Sequence, residues 1–112
     1  MSLKSAAVFF GLMCVGSAGA DSLLSTGTIT AVRTYSLKHG VIAARGVTIV
    51  QLSQPLTGGC AWAFIDPADK ASLANTLAAK ASVSPVVLWY DAAQPSPWGD
   101  SGICALTGLE VN

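Results

Sequence analysis

Two cysteines, Cys60 and Cys104, limit the folds open to this chain more than any other feature of its sequence. The third cysteine, Cys14, lies in an N-terminal segment that has the composition of an export signal. Export would carry Cys60 and Cys104 to an oxidising compartment, where disulfides form and persist. The sequence therefore predicts one Cys60–Cys104 disulfide. Closing a loop of about 44 residues in this way stabilises a small domain by roughly 4 kcal/mol.

The first twenty residues predict a signal peptide that is cleaved after Ala20. Lys4 supplies its positive charge, residues 6–15 form an apolar run, and the Ala-Gly-Ala that ends at Ala20 has the A-x-A form of a cleavage site. The run is shorter than the roughly 18 apolar residues that a membrane-spanning helix requires. We therefore predict no membrane span, secretion to the periplasm or outside the cell, and a single domain over residues 21–112.

Hydrophobic periodicity in that domain predicts five strands and one helix. The predicted strands cover 27–35, 46–52, 60–65, 86–90 and 103–111, and the helix runs from Asp66 to about Ser82. The order strand-strand-strand-helix-strand-strand predicts a mainly β fold, a five-stranded OB-like barrel with the helix at one end. An open five-stranded sheet with the helix packed on one face is the alternative.

The same patterns predict which side chains face the core. Asp66 is expected to cap the helix, with Pro67 at its first position. The inward positions expected on the helix are Leu73, Leu77 and Ala81, which follow a spacing of four. On the third strand, Cys60, Trp62 and Phe64 are expected to share one face, because side chains two residues apart lie on the same side of a strand.

Charge excludes one large class of partner. Six Lys or Arg balance six Asp or Glu in the whole chain, and no basic stripe is present. Proteins that bind nucleic acids carry such a stripe, so we predict no nucleic-acid partner. A surface rich in Ser, Thr, Gln and Gly favours neutral partners or self-association, and a homo-oligomer is one form of the latter.

Two groupings resemble parts of catalytic sites, but neither is complete. Residues 99–102, Gly-Asp-Ser-Gly, match the tetrapeptide around the nucleophile of trypsin-like proteases, yet His39 is the only histidine and lies in a predicted turn. Asp91 and Asp100 are the candidate pair for glycoside hydrolysis, but they flank one loop, which favours a role in loop solubility. One histidine and a paired set of cysteines leave no metal-ligand cluster. We therefore predict no enzyme activity, no metal and no cofactor.

The loop at 91–102 contains the foremost candidates for ligand contact, Trp98 and Asp100. Pro95 and Pro97 stiffen the chain just before Trp98, so its ring is pre-organised to meet a sugar or a partner protein. The alternative is that Trp98 folds back over the Cys60–Cys104 bridge or the mouth of the barrel, because small domains need large side chains for burial. Arg33 and Tyr35 share a strand face, where they either form a polar patch or are ordinary surface side chains.

Two segments carry a resemblance to a known family. Residues 87–91 (Val-Leu-Trp-Tyr-Asp, with Trp98 beyond) and residues 25–30 (Ser-Thr-Gly-Thr-Ile-Thr) resemble the B subunits of bacterial AB5 toxins, in particular that of subtilase cytotoxin. Small secreted bacterial proteins of the same plan are also similar. The resemblance implies an OB-fold that assembles as a ring and binds sugars.

In the subtilase-type subunits, a serine near the start of the domain and a tyrosine of the fourth strand hold a sialic-acid glycan. Tyr90 matches the tyrosine. Thr26 stands at the serine position, with Ser25 as the alternative if the register shifts by one residue. The resemblance therefore implies that Tyr90 and Thr26 contact a glycan.

Together, these patterns predict a secreted, non-enzymatic binding domain that contacts a glycan or another protein chain. The predicted contacts are Trp98, Tyr90, Thr26 and Asp100. The alternative is a structural or interaction subunit that has no small-molecule ligand and uses its uncharged faces against other chains.

Overall fold

The computed structural model describes residues 23–112, and the predicted signal peptide lies outside the described residues. The strands are β1 (Leu23–Thr34), β2 (Thr48–Leu52), β3 (Trp62–Ile65), β4 (Pro85–Pro95) and β5 (Ile103–Val111), and the helix α1 spans Lys70–Ser82. The prediction of a mainly β chain with one helix between the third and fourth strands is confirmed.

The five strands form one sheet that closes into a ring in the order β1-β2-β3-β5-β4. Neighbouring strands are antiparallel except β3 and β5, which are parallel. Closure depends on β1, because its first half pairs with β4 and its second half pairs with β2. The two halves meet between Thr28 and Ile29, and a register shift lies just beyond, between Ile29 and Ala31. Such irregularities bend a strand.

The side chains on the inner face of the ring form the larger of two hydrophobic clusters among residues 23–112, which we call the interior cluster. Its buried members are Ile29, Val50, Leu52, Leu56, Cys60, Ala63, Ile65, Ala79, Val86, Leu88, Tyr90 and Cys104. Cys60 and Cys104 are joined by a disulfide with their Cα atoms 5.9 Å apart, so the predicted bridge is confirmed. It fastens the chain just before β3 to β5 and thereby reinforces the short parallel pair that closes the ring.

Two strands are longer than predicted. β1 starts at Leu23 because its first residues pair with β4, where Leu23 lies opposite Tyr90. β4 continues to Pro95, since Asp91 and Pro95 still pair with β5. Residues of low strand propensity extend β4, so pairing rather than local preference sets its length. The predicted loop at 91–102 is therefore a shorter loop at 96–102.

The helix cap differs from the prediction. Asp69, not Asp66, is the N-cap, and its carboxylate accepts a hydrogen bond from the Ser72 N–H at 3.2 Å. Asp66 instead accepts from the Ala68 N–H at 2.8 Å within the preceding turn. Such local side-chain bonds favour turns over helix, which explains why the helix begins later.

The inward face of α1 also differs from the prediction. Thr76 and Ala79 are buried and Leu73 packs on the interior cluster, whereas Leu77 is 50% exposed and Ala81 is exposed. The buried positions thus follow a spacing of three. Small side chains at the contact let the helix lie close to the sheet, and Leu77, one position beyond Thr76, points away from it.

The prediction that Cys60, Trp62 and Phe64 share a face is wrong. Cys60 precedes β3 and belongs to the interior cluster, whereas Trp62 and Phe64 pack on the outer side of the sheet. The N–H groups of both Ala61 and Trp62 donate to the Gly102 carbonyl, at 2.7 and 3.1 Å. Two successive bonds to one acceptor interrupt the strand alternation, which restarts at Trp62.

Candidate functional site

The outer side of β2, β3 and β5 carries a second hydrophobic cluster. Ile49 and Ile103 follow the alternation of their strands, because their neighbours Val50 and Cys104 face the interior. Together with Val47 they form a buried base on the outside of the ring. The outer face of an antiparallel sheet is commonly polar and solvated, so a buried apolar base there requires a cover.

Four aromatic side chains supply that cover. Tyr35, Trp62, Phe64 and Trp98 pack against the base, and each is half-buried. They come from the chain after β1, from β3 and from the loop between β4 and β5. With Arg33 they form a surface that we call the aromatic face. Its rings are fixed from below by packing and are partly open to solvent.

Arg33 supplies the positive charge of the aromatic face. Its guanidinium carbon lies 5.0 Å from the centre of the Trp62 ring, within range of a cation–π interaction. Arg33 is exposed, and residues 23–65, which contain β1, β2 and β3, include no Asp or Glu. β1, β2 and β3 therefore provide a cation and no carboxylate of their own.

Trp98 is held in place by its aromatic neighbour. Its ring meets Tyr35 edge-on, with centroids 5.3 Å apart and an interplanar angle of 75°. Trp98 therefore folds back as one sequence-based alternative expects, but onto the outer base rather than over the disulfide, which lies in the interior cluster. Since it is only half-buried, part of the ring stays open to a ligand.

Asp100 stabilises the loop that presents Trp98. Its N–H donates to the Ser96 hydroxyl at 2.9 Å, and its carbonyl accepts from the Ser96 N–H at 3.2 Å. Its carboxylate accepts from the Gly102 N–H at 2.9 Å. The Gly-Asp-Ser-Gly segment is thus part of a hydrogen-bonded turn. Asp100 nevertheless stays exposed, so its carboxylate can also meet a ligand.

Tyr90 lies in the interior cluster, and its side chain is fully buried. Its hydroxyl oxygen accepts from the Thr57 N–H at 2.7 Å and lies 2.9 Å from the hydroxyls of both Thr57 and Ser25. Ser25, rather than Thr26, is therefore the residue of β1 that meets Tyr90. Thr26 is exposed on the opposite face of β1, across from Val87.

These hydrogen bonds change the acidity of Tyr90. Burial by itself raises the pKa of the phenol, because it disfavours the charged form. Hydrogen bonds with Ser25 and Thr57 favour the phenolate and outweigh burial, so the pKa of Tyr90 lies below its ordinary value of 10.0. The same hydrogen bonds link Ser25 of β1 to Thr57 in the loop between β2 and β3.

The four sequence-predicted contacts do not form one cluster. Trp98 and Asp100 share the loop at 96–102, Tyr90 lies in the interior cluster and Thr26 lies on β1. Trp62 and Phe64, the β3 residues of the aromatic face, are not among the contacts predicted from the sequence. Their two-residue spacing was a usable signal, but the supposed shared face with Cys60 hid which side of the sheet they occupy.

A cleft of about 340 Å³ lies at the end of β2 and in the following loop. It is lined by Gln51, Leu52, Ser53, Gln54, Pro55, Leu56, Cys60 and Ala61. This lining has neither an aromatic ring nor a charged group, so it offers fewer means of recognition than the aromatic face. Within residues 23–112, no group of His, Cys, Asp and Glu side chains is placed to hold a metal ion.

Fold and face together define a small disulfide-closed β domain with an aromatic outer surface. No family model, curated protein or solved structure matches the chain. The one helix among residues 23–112 lacks the length and apolar content needed to cross a bilayer. The function of the chain therefore has to be inferred from the geometry of the aromatic face.

Proposed function

We propose that the chain is a small, non-enzymatic binding protein of the OB-fold class that holds a carbohydrate on its aromatic face. The strand order, the parallel β3–β5 pair and the helix between β3 and β4 support this class. OB-folds bind oligosaccharides or oligonucleotides on the face of their second and third strands and on the loops after strands one and four. The aromatic face draws its residues from those same elements.

One observation carries the proposal: partly open aromatic rings rest on a buried apolar base. Tyr35, Trp62 and Trp98 present rigid, amphipathic surfaces, on which the apolar faces of sugar rings can pack. Because the side chains are already packed, little conformational entropy is lost on binding. Arg33 adds hydrogen-bond donors for a hydroxyl or a carboxylate of the sugar.

Charge favours a carbohydrate over an oligonucleotide. Binding of single strands combines stacking with a positively charged groove that follows the phosphate backbone. The aromatic face itself carries one cation, Arg33, and the whole chain has no net charge. A ligand that stacks and carries at most a few charges fits this arrangement better.

The proposal does not depend on the other sequence-based expectations. The disulfide is compatible with a location outside the cytoplasm, since such bonds persist in oxidising compartments. Export by the predicted signal peptide, assembly into a ring of subunits and kinship with toxin B subunits remain predictions. None of them is needed for a carbohydrate to bind the aromatic face.

The test is a panel of neutral and acidic oligosaccharides, followed by calorimetric titration of the best binder. Trp98→Ala and Trp62→Ala are compared with Trp89→Ala, which removes a half-buried tryptophan from β4, outside the aromatic face. We expect the first two to weaken binding by about tenfold, the loss of one aromatic contact of roughly 1.4 kcal/mol. We expect Trp89→Ala to leave the affinity of the folded protein unchanged.

Three results would contradict the proposal. The first is a panel without any binder, and the second is an equal loss of affinity in Trp89→Ala. The third is stronger binding of single-stranded DNA, with a steep dependence on salt and loss in Trp98→Ala. Circular dichroism of every variant separates lost binding from lost folding.

A further inference from the structure

The loop between β1 and β2, residues 35–47, has aliphatic side chains that are exposed to solvent. Leu37 and Ile42 are each 74% exposed, and Val41 is 47% exposed. We call these three residues the apolar tip. Single aliphatic side chains on a surface are ordinary, but three in one short loop form an uncovered apolar feature.

The base of this loop is closed by hydrogen bonds. The Tyr35 N–H donates to the Val47 carbonyl at 2.9 Å, and the Gly46 N–H donates to the Tyr35 carbonyl at 2.8 Å. Ala44 is buried and ends a short 3-10 turn that starts at Ile42. The apolar tip is therefore carried by an anchored loop.

His39 organises the rest of the loop. Its Nδ1 accepts from the Val41 N–H at 3.1 Å, and its carbonyl accepts from the Arg45 Nε–H at 2.7 Å. Its ring meets Tyr35 edge-on at 4.9 Å. These contacts fix the conformation of the loop with the apolar tip exposed. Little conformational entropy would therefore be lost on docking.

Positive charge accompanies the apolar tip. Lys38 and Arg45 are exposed in the same loop, and Arg33 lies just before it, on the adjoining aromatic face. Residues 23–65 contain no Asp or Glu, and the carboxylates of the adjoining segments are Asp66, next to the Pro67 that lies beside this loop, and Asp100. Aliphatic side chains beside cations are the combination that binds the interface of a membrane with anionic lipids.

We propose that the β1–β2 loop docks the protein on bilayers that contain anionic lipids. The apolar tip enters the boundary between headgroups and acyl chains, while Lys38 and Arg45 contact lipid phosphates. This inference goes beyond carbohydrate binding and does not rest on it, because it uses neither Trp62 nor Trp98.

A second copy of the chain fits this surface less well. A twofold contact between two such loops would bring Lys38 and Arg45 of each copy together, and the loop itself has no carboxylate to compensate. Three aliphatic side chains also cover far less than the roughly 1,200 Å² of total surface that a stable protein interface buries. An anionic bilayer satisfies both the charge and the small apolar area.

The test is co-sedimentation of the protein with vesicles of phosphatidylcholine alone or mixed with phosphatidylglycerol. We expect binding to the mixed vesicles, reduced by added salt. The double variant Leu37→Ser/Ile42→Ser should lower the partition coefficient by about tenfold or more, because two aliphatic side chains no longer leave water. Its control, Leu77→Ser/Val83→Ser, removes exposed aliphatic side chains from the helix region and should change it less than about twofold.

A second pair of variants tests the charge. Lys38→Glu should lower the partition coefficient by more than about fivefold, because loss of one cation near an anionic surface accounts for about fivefold and the new carboxylate adds repulsion. Lys70→Glu, at the start of α1, makes the same change in net charge and should have little effect. All variants keep the same N-terminus, so a retained leader cannot cause a difference between them.

Several results would overturn the proposal. Equal binding to the two kinds of vesicle would remove the role of anionic lipid, and equal loss in the loop and helix variants would remove the role of the apolar tip. Absence of vesicle binding together with tight binding to an acidic protein would assign the loop to a protein partner. Carbohydrate affinity measured on the same variants keeps this test separate from that of the aromatic face.

Discussion

The interior cluster and the aromatic face are built from the same strands but differ in what they leave accessible. Val50 and Cys104 face inward and are buried, while their neighbours Ile49 and Ile103 form the base of the aromatic face. The interior cluster is closed and cross-linked, whereas the outer rings stay half-buried. Neighbouring residues of one strand thus contribute to separate properties, stability on one side and contact on the other.

This division leads to opposite expectations for the two regions. Changes in the interior cluster should lower the free energy of unfolding and leave the ligand affinity of the folded protein unchanged. Changes on the aromatic face should do the reverse. Five expected outcomes test that division, beginning with the largest expected change in stability.

Removal of the disulfide should have the largest effect. The double variant Cys60→Ser/Cys104→Ser is expected to lose about 4 kcal/mol of unfolding free energy, because the unfolded chain gains the freedom of a loop of 44 residues. Urea titrations followed by tryptophan fluorescence measure the loss. A reductant should destabilise the wild type to the same extent and leave the variant unchanged; equal midpoints for oxidised and reduced protein would refute the expectation.

Truncation of a core side chain should come next. Leu88→Ala, at a buried site of the interior cluster, is expected to cost about 3 kcal/mol through lost burial and an unfilled cavity. Val87→Ala removes apolar atoms from the adjacent half-buried position and should cost less. Equal costs at the two positions would break the distinction between inner and outer faces of β4. The same urea titrations decide between these outcomes.

Removal of the Tyr90 hydroxyl should have a smaller effect. Tyr90→Phe leaves the Thr57 N–H and the Ser25 hydroxyl without this partner, and we expect a loss of about 2 kcal/mol. Tyr35→Phe, on the aromatic face, should change stability less, because water reaches a half-buried hydroxyl more readily. Comparable losses in both variants would contradict the structural role of the Tyr90 hydroxyl.

The same hydroxyl predicts a dependence on pH. The folded state lowers the pKa of Tyr90, so between that lowered pKa and 10.0 the unfolded chain binds more protons than the folded chain. The stability of the wild type relative to Tyr90→Phe should therefore rise as the pH increases through this range, and fall back as the pH is lowered. A difference that shrinks with increasing pH would give the opposite sign and contradict the lowered pKa.

The smallest change in stability is expected at Arg33. Arg33→Gln removes the cation over Trp62, an exposed interaction worth about 0.5 to 1 kcal/mol. Its effect on the affinity for an acidic oligosaccharide should exceed its effect on unfolding. Chemical denaturation and calorimetry of the same sample compare the two quantities. A stability loss as large as that of Leu88→Ala would show that the aromatic face belongs to the core.

Much of the fold could be predicted from local patterns. Strands rich in β-branched residues, one alanine-rich helix and a cysteine pair were sufficient for the element order and the disulfide, both of which the structure confirms. The helix face was not predictable in the same way. In a helix rich in alanine, the pattern does not distinguish a stripe through Leu77 from one through Thr76 and Ala79, and only packing on the sheet decides.

The candidate site was harder to predict, because it depends on how the ring closes. Trp98 and Asp100 could be selected from their loop alone. Trp62 and Phe64 belong to the site only because β3 pairs with β2 on one side and with β5 on the other, which turns their rings to the outer base. A single sequence contains their alternation but not the side of the sheet that becomes the interior.

Because a disulfide joins the segment before β3 to β5, the stability of this protein depends on the redox state of its surroundings. While Cys60 and Cys104 are reduced, only the short parallel pair joins β3 and β5, and the free energy of unfolding is lower by about 4 kcal/mol. This is a large share of the 5–15 kcal/mol that keeps a typical domain folded. Oxidation then acts as a final locking step. The newly made, reduced chain therefore unfolds more easily than the chain whose disulfide has formed.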